Sequence, residues 1–289
     1  MIPSRNKAVL VSLNMSIWTA SKHDREASKE VVDQKNLKDN QMARVWKSLL
    51  PRNEFLSAIH GIAAKARKFH YHNTFGWVQE GTRLLPTKNY LAYMEFMRQA
   101  KADFQKAVDA FLQEYGQLQI AAREALNSLY KDSDYPSVAS LKSKFAFETV
   151  VMPLPAGEYF TAEVDDAEAE RVREEIEKSV QEAFRAANRD LWQRLYTTIN
   201  KVQERLADPK GARESSLSSL REMLALLDRL NVSGDERLER LRKQAEDRLN
   251  AMSLKDLKSD KVKREAAMAE AQRIQEAMAA FMGNNAYGS

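Results

Sequence analysis

Residues 165–206 read DDAEAERVREEIEKSVQEAFRAANRDLWQRLYTTINKVQERL, with no glycine or proline. Val172, Ile176, Val180, Ala183, Ala187, Leu191, Leu195, Ile199, Val202 and Leu206 recur every three or four residues. That spacing gathers side chains on one face of an α-helix. Asp165, Asp166 and Glu168 stand where negative charge meets the positive end of the helix dipole. An unbroken helix here is roughly 63 Å long at 1.5 Å per residue. A single rod cannot cover its own apolar seam, so other helices must lie along it.

The sequence downstream supplies them. Residues 208–211 break the pattern, and Leu217, Leu220, Leu224, Leu227 and Leu230 then form a leucine stripe. A turn is expected at 231–234, followed by a second stripe of Leu238, Leu241, Ala245, Leu249 and Met252. An Ala/Met-rich helix over about 259–282 carries Met268, Ile274, Met278 and Phe281 and ends in a Gly/Asn tail. The simplest arrangement is an antiparallel hairpin or bundle in which 214–252 return along the long helix.

Upstream the pattern is mixed. Val9, Val11, Leu13, Met15 and Ile17 alternate with Leu10, Ser12, Asn14 and Ser16, which predicts a strand. Ser21 and Asp24 have the spacing that opens a helix, expected to run through polar sequence to about Leu50, ahead of Pro51. Asn53 caps a helix over 53–71 with Phe55, Ile59, Ile62, Ala66 and Phe69 on one face. Residues 72–87 read as a loop holding a short hairpin, 77–79 against 82–85. Thr87 is placed to cap a helix over 88–115 that Gly116 ends, with a further helix over 118–130. A turn at 132–136, a short helix at 137–144 and a strand at 145–152 follow, the strand being paired with 9–18.

The expected fold class is therefore mainly α. A helical unit with a small β-sheet occupies 1–160, a long-helix antiparallel bundle or coiled-coil-like hairpin 161–258, and a C-terminal helix and tail 259–289.

Composition narrows the chemistry. Hydrophobic residues make up 44% and charged residues 30%, the profile of long amphipathic helices rather than of disorder. The absence of cysteine removes disulfides, zinc–thiolate sites, iron–sulfur clusters and cysteine nucleophiles. Net charge is +4, but residues 1–100 hold 16 Lys+Arg against 8 Asp+Glu, leaving 29 against 33 in the remainder. A basic front and a mildly acidic back suggest different partners for different surfaces. The apolar residues of 1–20 alternate with polar ones, unlike a secretory signal. No apolar run approaches the ~18 residues that span a bilayer. A cytoplasmic protein without membrane contact is expected.

The segment 65–88 interleaves cations with aromatic rings: Lys65, Arg67, Lys68, Tyr71, Trp77, Arg83 and Lys88, with His70, His72 and Phe75 among them and Glu80 as the one acid. Cations attract phosphates and aromatic faces stack on unpaired bases, so these residues are candidates for nucleic-acid binding. The plainer reading packs the rings beneath a helix–loop junction and leaves the cations in water. The leucines Leu217, Leu220, Leu224 and Leu227, with Met268, Ile274, Met278 and Phe281, are candidates for a partner or oligomer interface. Their plainer reading is packing within the chain. The acidic residues of 165–177 are interspersed with Arg171 and Arg173, as on a solvated helix face. His23, His60, His70 and His72 lack the companions a metal site needs. No G-x-x-x-x-G-K-[ST], G-x-G-x-x-G or G-x-S-x-G string occurs. No catalytic residue, cofactor or metal is expected.

Four strings also occur together: SLNMSIWT at 12–19, FGWVQEGTRLLP at 75–86, DYPS at 134–137 and PLP at 153–155. The set resembles a family of uncharacterised bacteriophage and mobile-element proteins, over roughly residues 8–235. The resemblance implies a protein working in a bacterial cytoplasm or built into a particle, and lends no functional residues.

The leading expectation is a non-enzymatic phage-type helical protein that self-assembles as a homo-oligomer or binds a protein partner. The second is a single-stranded nucleic-acid-binding accessory factor for replication, recombination or packaging. The third, which rests on the resemblance alone, is an inhibitor or adaptor acting on a host defence protein.

Overall fold

The structure, a computed structural model, describes residues 5–250 except 40, 163, 208–213, 233 and 235, together with scattered positions between 262 and 276. Among these residues the protein is mainly helical, with seven α-helices and six short strands. Its larger sheet has the strand order β4-β5-β1-β6, where β1 is Ala8–Ser16, β4 Phe75–Gly76, β5 Thr82–Pro86 and β6 Ala146–Met152. The two strands expected to pair, β1 and β6, are neighbours in it.

The chain forms two compact units, and neither is a continuous stretch. One, here the rod unit, comprises Met1–Ser12, His70–Met94 and Val151–Ser289; the other, the ribbon unit, comprises Leu13–Phe69 and Glu95–Val150. A boundary near residue 160 follows the chain, whereas these units exchange segments. β1, β6, α2 (Glu54–Asn73) and α3 (Thr87–Leu126) each begin in one unit and end in the other.

In the rod unit, β5 pairs antiparallel with β1, Leu84 opposite Leu10, and with β4, Leu84 opposite Phe75. α5 (Asp166–Ala207) is the long helix. Asp165 caps it, accepting the Glu168 amide at 2.9 Å. Leu10, Phe75 and Leu84 share one core with Val180, Phe184, Leu191, Trp192, Leu195 and Ile199 of α5. Leu224, Leu227 and Leu230 of α6 (Glu214–Leu230) and Leu238 and Ala245 of α7 (Glu236–Asn250) join the same core. Phe184 and Trp192 lie beside the expected stripe and widen it. Each large side chain so buried contributes about 1.5–3 kcal/mol. Gly157 comes so close to α5 that a Cβ there would lie 3.0 Å from Arg173.

In the ribbon unit, Ile59, Ala63 and Ala66 of α2 are buried, and Phe69 stacks on Phe96. Met97, Phe104, Val108, Phe111 and Tyr115 form the inner face of α3. Trp18 meets Tyr115 edge-on and Phe104 meets Phe147. Asn53 caps α2 as expected, accepting the Leu56 amide at 2.8 Å.

Four local expectations are corrected. Gly116 does not end a helix: α3 runs through it, because Phe111, Tyr115 and Ala122 keep one buried face on either side. That continuity outweighs the roughly 1 kcal/mol helix cost of glycine. Thr87 does not cap α3 from outside; it is the first helical residue, and its hydroxyl donates to the Asn6 carbonyl. The hairpin uses Phe75 and Gly76 rather than 77–79, and Trp77 folds against the core.

The helix expected to reach Leu50 is instead α1 (Arg25–Gln34), flanked by strands β2 (Ser21–Asp24) and β3 (Val45–Ser48). Asn36, at φ 49°, stops α1. The Leu37 amide bonds the Val32 carbonyl and the Asn36 amide that of Asp33, a Schellman closure.

Candidate functional site

The ribbon unit carries the most distinctive surface. β2 and β3 pair antiparallel as a two-stranded ribbon, with Lys22 opposite Lys47, His23 opposite Trp46 and Asp24 opposite Val45. Side chains alternate across a strand, so Lys22, Asp24, Val45 and Lys47 share the inner face. Ser21, His23, Trp46 and Ser48 share the outer one. From Met42 to Ser48 every second residue is exposed: Met42, Arg44, Trp46 and Ser48.

The inner face is ionic. The Lys47 ammonium lies 2.6 Å from Asp134 Oδ2 and 3.5 Å from Asp24 Oδ2, and donates to the Leu129 carbonyl at 2.8 Å. Lys22 pairs with the other oxygen of Asp134. The side chains of Lys47, Asp24 and Asp134 are all nearly inaccessible. Two cations and two carboxylates balance, which buried charge requires. The Ala27 amide, then Lys47, hold the Asp24 carboxyl below the usual carboxylate range despite burial. Burial pushes the Asp134 carboxyl up, but hydrogen bonds from Lys22 and Lys47 outweigh it and the net shift is downward.

Ser28 ties α1 to both strands. Its hydroxyl donates to the Asp24 carbonyl, accepts the Val45 amide at 2.9 Å and lies 3.1 Å from His23 Nε2.

The consequence is outside. With Lys47 inward, Trp46 points out, and it is 61% exposed although it is the largest side chain of the ribbon. His23 flanks it at 5.6 Å between ring centroids. Of the four tryptophans it alone is exposed, since Trp18 and Trp192 are buried and Trp77 is half-buried.

In the rod unit, two guanidinium groups converge on the C-terminal end of α2. Arg194 donates to the carbonyls of His72 at 2.6 Å and Thr74 at 3.0 Å, and pairs with Asp190 at 2.7 Å. Arg83 donates to Thr74 Oγ1 at 2.6 Å and lies over the Tyr71 ring. Cations here satisfy last-turn carbonyls and the negative end of the dipole. Burial, then Arg194, lower the Arg83 pKa. His70 is buried 2.6 Å from the Tyr93 hydroxyl. Burial, then Arg83, push its pKa down to about 4, so the ring is neutral at pH 7. The rod unit also has an open cleft of about 720 Å³ whose charges are mixed, among them Lys7, Lys88, Asp228, Arg229, Glu239 and Arg240.

The residues singled out in the sequence fall in both units. Lys65, Arg67 and Lys68 are exposed on α2 in the ribbon unit. Tyr71, Trp77, Arg83 and Lys88 belong to the rod unit. There Trp77 packs on the core, Arg83 holds Thr74, and Lys88 pairs with Asp228 at 3.1 Å. Leu224 and Leu227 are 2% and 1% exposed within the rod core, and Met268 packs against it. The side chains of Leu217 and Leu220 lie outside the described residues, as do Ile274, Met278 and Phe281.

Sequence reasoning missed Trp46 and its ribbon. The signal is the alternation in 42–49, which a helix running to Leu50 hides.

Among the described residues no three His, Asp or Glu side chains converge as metal ligands would, and no helix is long and apolar enough to cross a membrane. No family model, curated protein or solved structure matches the chain.

Proposed function

We propose that this is a non-enzymatic binding protein whose recognition face is the outer side of the β2–β3 ribbon. The observation that carries the reading is Trp46, an indole held in water by a buried ion network beneath it. Isolated exposed apolar residues are ordinary. Here the exposed ring belongs to a row with Met42 and Arg44, on a ribbon anchored from below.

In this reading the rod unit is a scaffold, with α5, α6 and α7 as an antiparallel long-helix bundle. Their shared apolar core and the short connection between α6 and α7 support that arrangement. Self-assembly through Leu224 and Leu227 would require opening the core that covers them, so the binding face is placed in the other unit. A bacteriophage origin would set this activity in a bacterial cytoplasm.

A photo-crosslinking residue substituted at Met42 tests the reading in cells producing the full chain. It should capture a macromolecule that the same probe at Leu91, 76% exposed in the rod unit, does not. Trp46→Ala should abolish the capture. Equal capture at both positions, or capture indifferent to Trp46, would remove the recognition face.

A further inference from the structure

Resting on that recognition face, we infer that its occupant is single-stranded nucleic acid. The sign of the charge favours a polyanion. β2 and β3 contain one carboxylate, Asp24, and it is turned inward onto Lys47. The row outside therefore presents Arg44 as its charge beside Trp46, with no acid of its own strands.

The unit that bears the ribbon has the same sign. Within Leu13–Phe69 ten Lys or Arg are exposed against five Asp or Glu. The ribbon unit as a whole carries 18 Lys+Arg against 14 Asp+Glu, leaving the rod unit 27 against 27. The entire formal charge of +4 thus belongs to the unit that bears Trp46. A surface of this sign draws a polyanion and is unsuited to an acid-poor apolar partner.

The ring favours unpaired bases. An indole offers a face on which any unpaired base can stack, whatever its identity, while a duplex keeps its base faces covered. The Ser21 and Ser48 hydroxyls on the same side donate to Thr19 Oγ1 and the Leu50 carbonyl, so the ring's neighbours along the strands are polar rather than apolar. A protein-binding hot spot usually seats its aromatic in an apolar patch; here the ring is bordered by Arg44, His23 and two serines. The inner ion network holds the ribbon in register, so the ring is oriented before any ligand arrives.

The test is fluorescence anisotropy of a labelled oligothymidylate of about 16 nucleotides, a length suited to a short stacking groove. The full chain is titrated at ~50 and ~200 mM salt. Binding is expected at the lower salt, with a marked loss at the higher. Trp46→Ala should weaken it about tenfold, Trp46→Phe much less, because a phenyl face still stacks. Arg44→Ala should weaken it and make the salt dependence shallower by about one phosphate contact. Tryptophan fluorescence should be quenched on binding, and the quenching should vanish in Trp46→Ala, the other three indoles being wholly or partly covered. An unchanged melting temperature of that variant excludes misfolding as the cause.

No binding at ~50 mM salt, equal binding by Trp46→Ala, or equal affinity for a duplex of the same length would overturn the assignment. Should the oligonucleotide fail while the Met42 probe still captures a polypeptide in a Trp46-dependent way, the face stands and only its assignment to nucleic acid falls. Failure of both removes the face itself.

Discussion

The rod unit and the ribbon unit solve the same packing problem with opposite materials. Under α5 the rod unit places leucines, isoleucine and tryptophan, and Arg194 serves a helix end from the edge of that core. Under β3 the ribbon unit places a lysine between two aspartates. An apolar core tolerates rotation and substitution of similar volume, whereas an ion network accepts one register. A one-residue slip of β3 would bring Trp46 to Asp134 and put Lys47 in water. The network therefore does what hydrophobic burial could not: it keeps a large aromatic ring facing out.

The sharpest way to break this contrast is Lys47→Met. It removes the cation that Asp24 and Asp134 share, leaving Asp24 buried without its ion partner and Asp134 with Lys22 alone, and should destabilise the ribbon unit by about 3–5 kcal/mol, measured by denaturant unfolding. A loss below about 1 kcal/mol would place the network in water and dissolve the distinction.

Acid should separate the units next. The unfolded chain takes up a proton at His70 near the ordinary value of 6.5, the folded chain only at about 4. Between those values the unfolded state binds more protons, so stability falls as pH drops from 7 to 4, by about 2–3 kcal/mol at this site. Asp24 and Asp134 behave differently. Their lowered pKa values contribute stability that is fully present above the ordinary carboxylate range and lost only below it. Amide exchange should accordingly lose protection around His70 and Tyr93 at a higher pH than around Lys47. His70→Gln should remove that difference.

A smaller effect should come from Arg194→Ala, which removes the guanidinium donor to the His72 carbonyl and leaves that of Thr74 to Arg83 alone. About 1–2 kcal/mol is expected, with faster amide exchange at the end of α2. The smallest is Trp46→Ala. A ring this exposed should cost under about 0.5 kcal/mol in folding, so any larger loss would show that the indole is structural rather than a recognition element.

Much of the fold was legible because its signals are local. The period of the apolar residues between 165 and 206 marked α5, and Asn53 marked the start of α2. The strand pairing of β1 with β6 followed from their being the two apolar β-rich segments available. The ribbon was not legible in the same way. Lys47 and Asp24 look like solvated charges in a polar stretch, and only Asp134, 87 residues beyond Lys47, turns them inward. Gly116 misled for a related reason: a glycine that could end a helix is overruled by the buried face that Phe111 and Tyr115 before it and Ala122 after it keep continuous.

By itself the amino-acid order determined that the protein is built mainly of long amphipathic helices, where those helices begin, and which of their faces are oily. These follow from backbone periodicity and capping, which act within a few residues. Only the tertiary structure decided that two units share the chain by exchanging segments, that Leu224 and Leu227 are covered, and that Trp46 is not. Those outcomes depend on which distant charge or surface meets each side chain, and contacts across a hundred residues leave no period in a sequence.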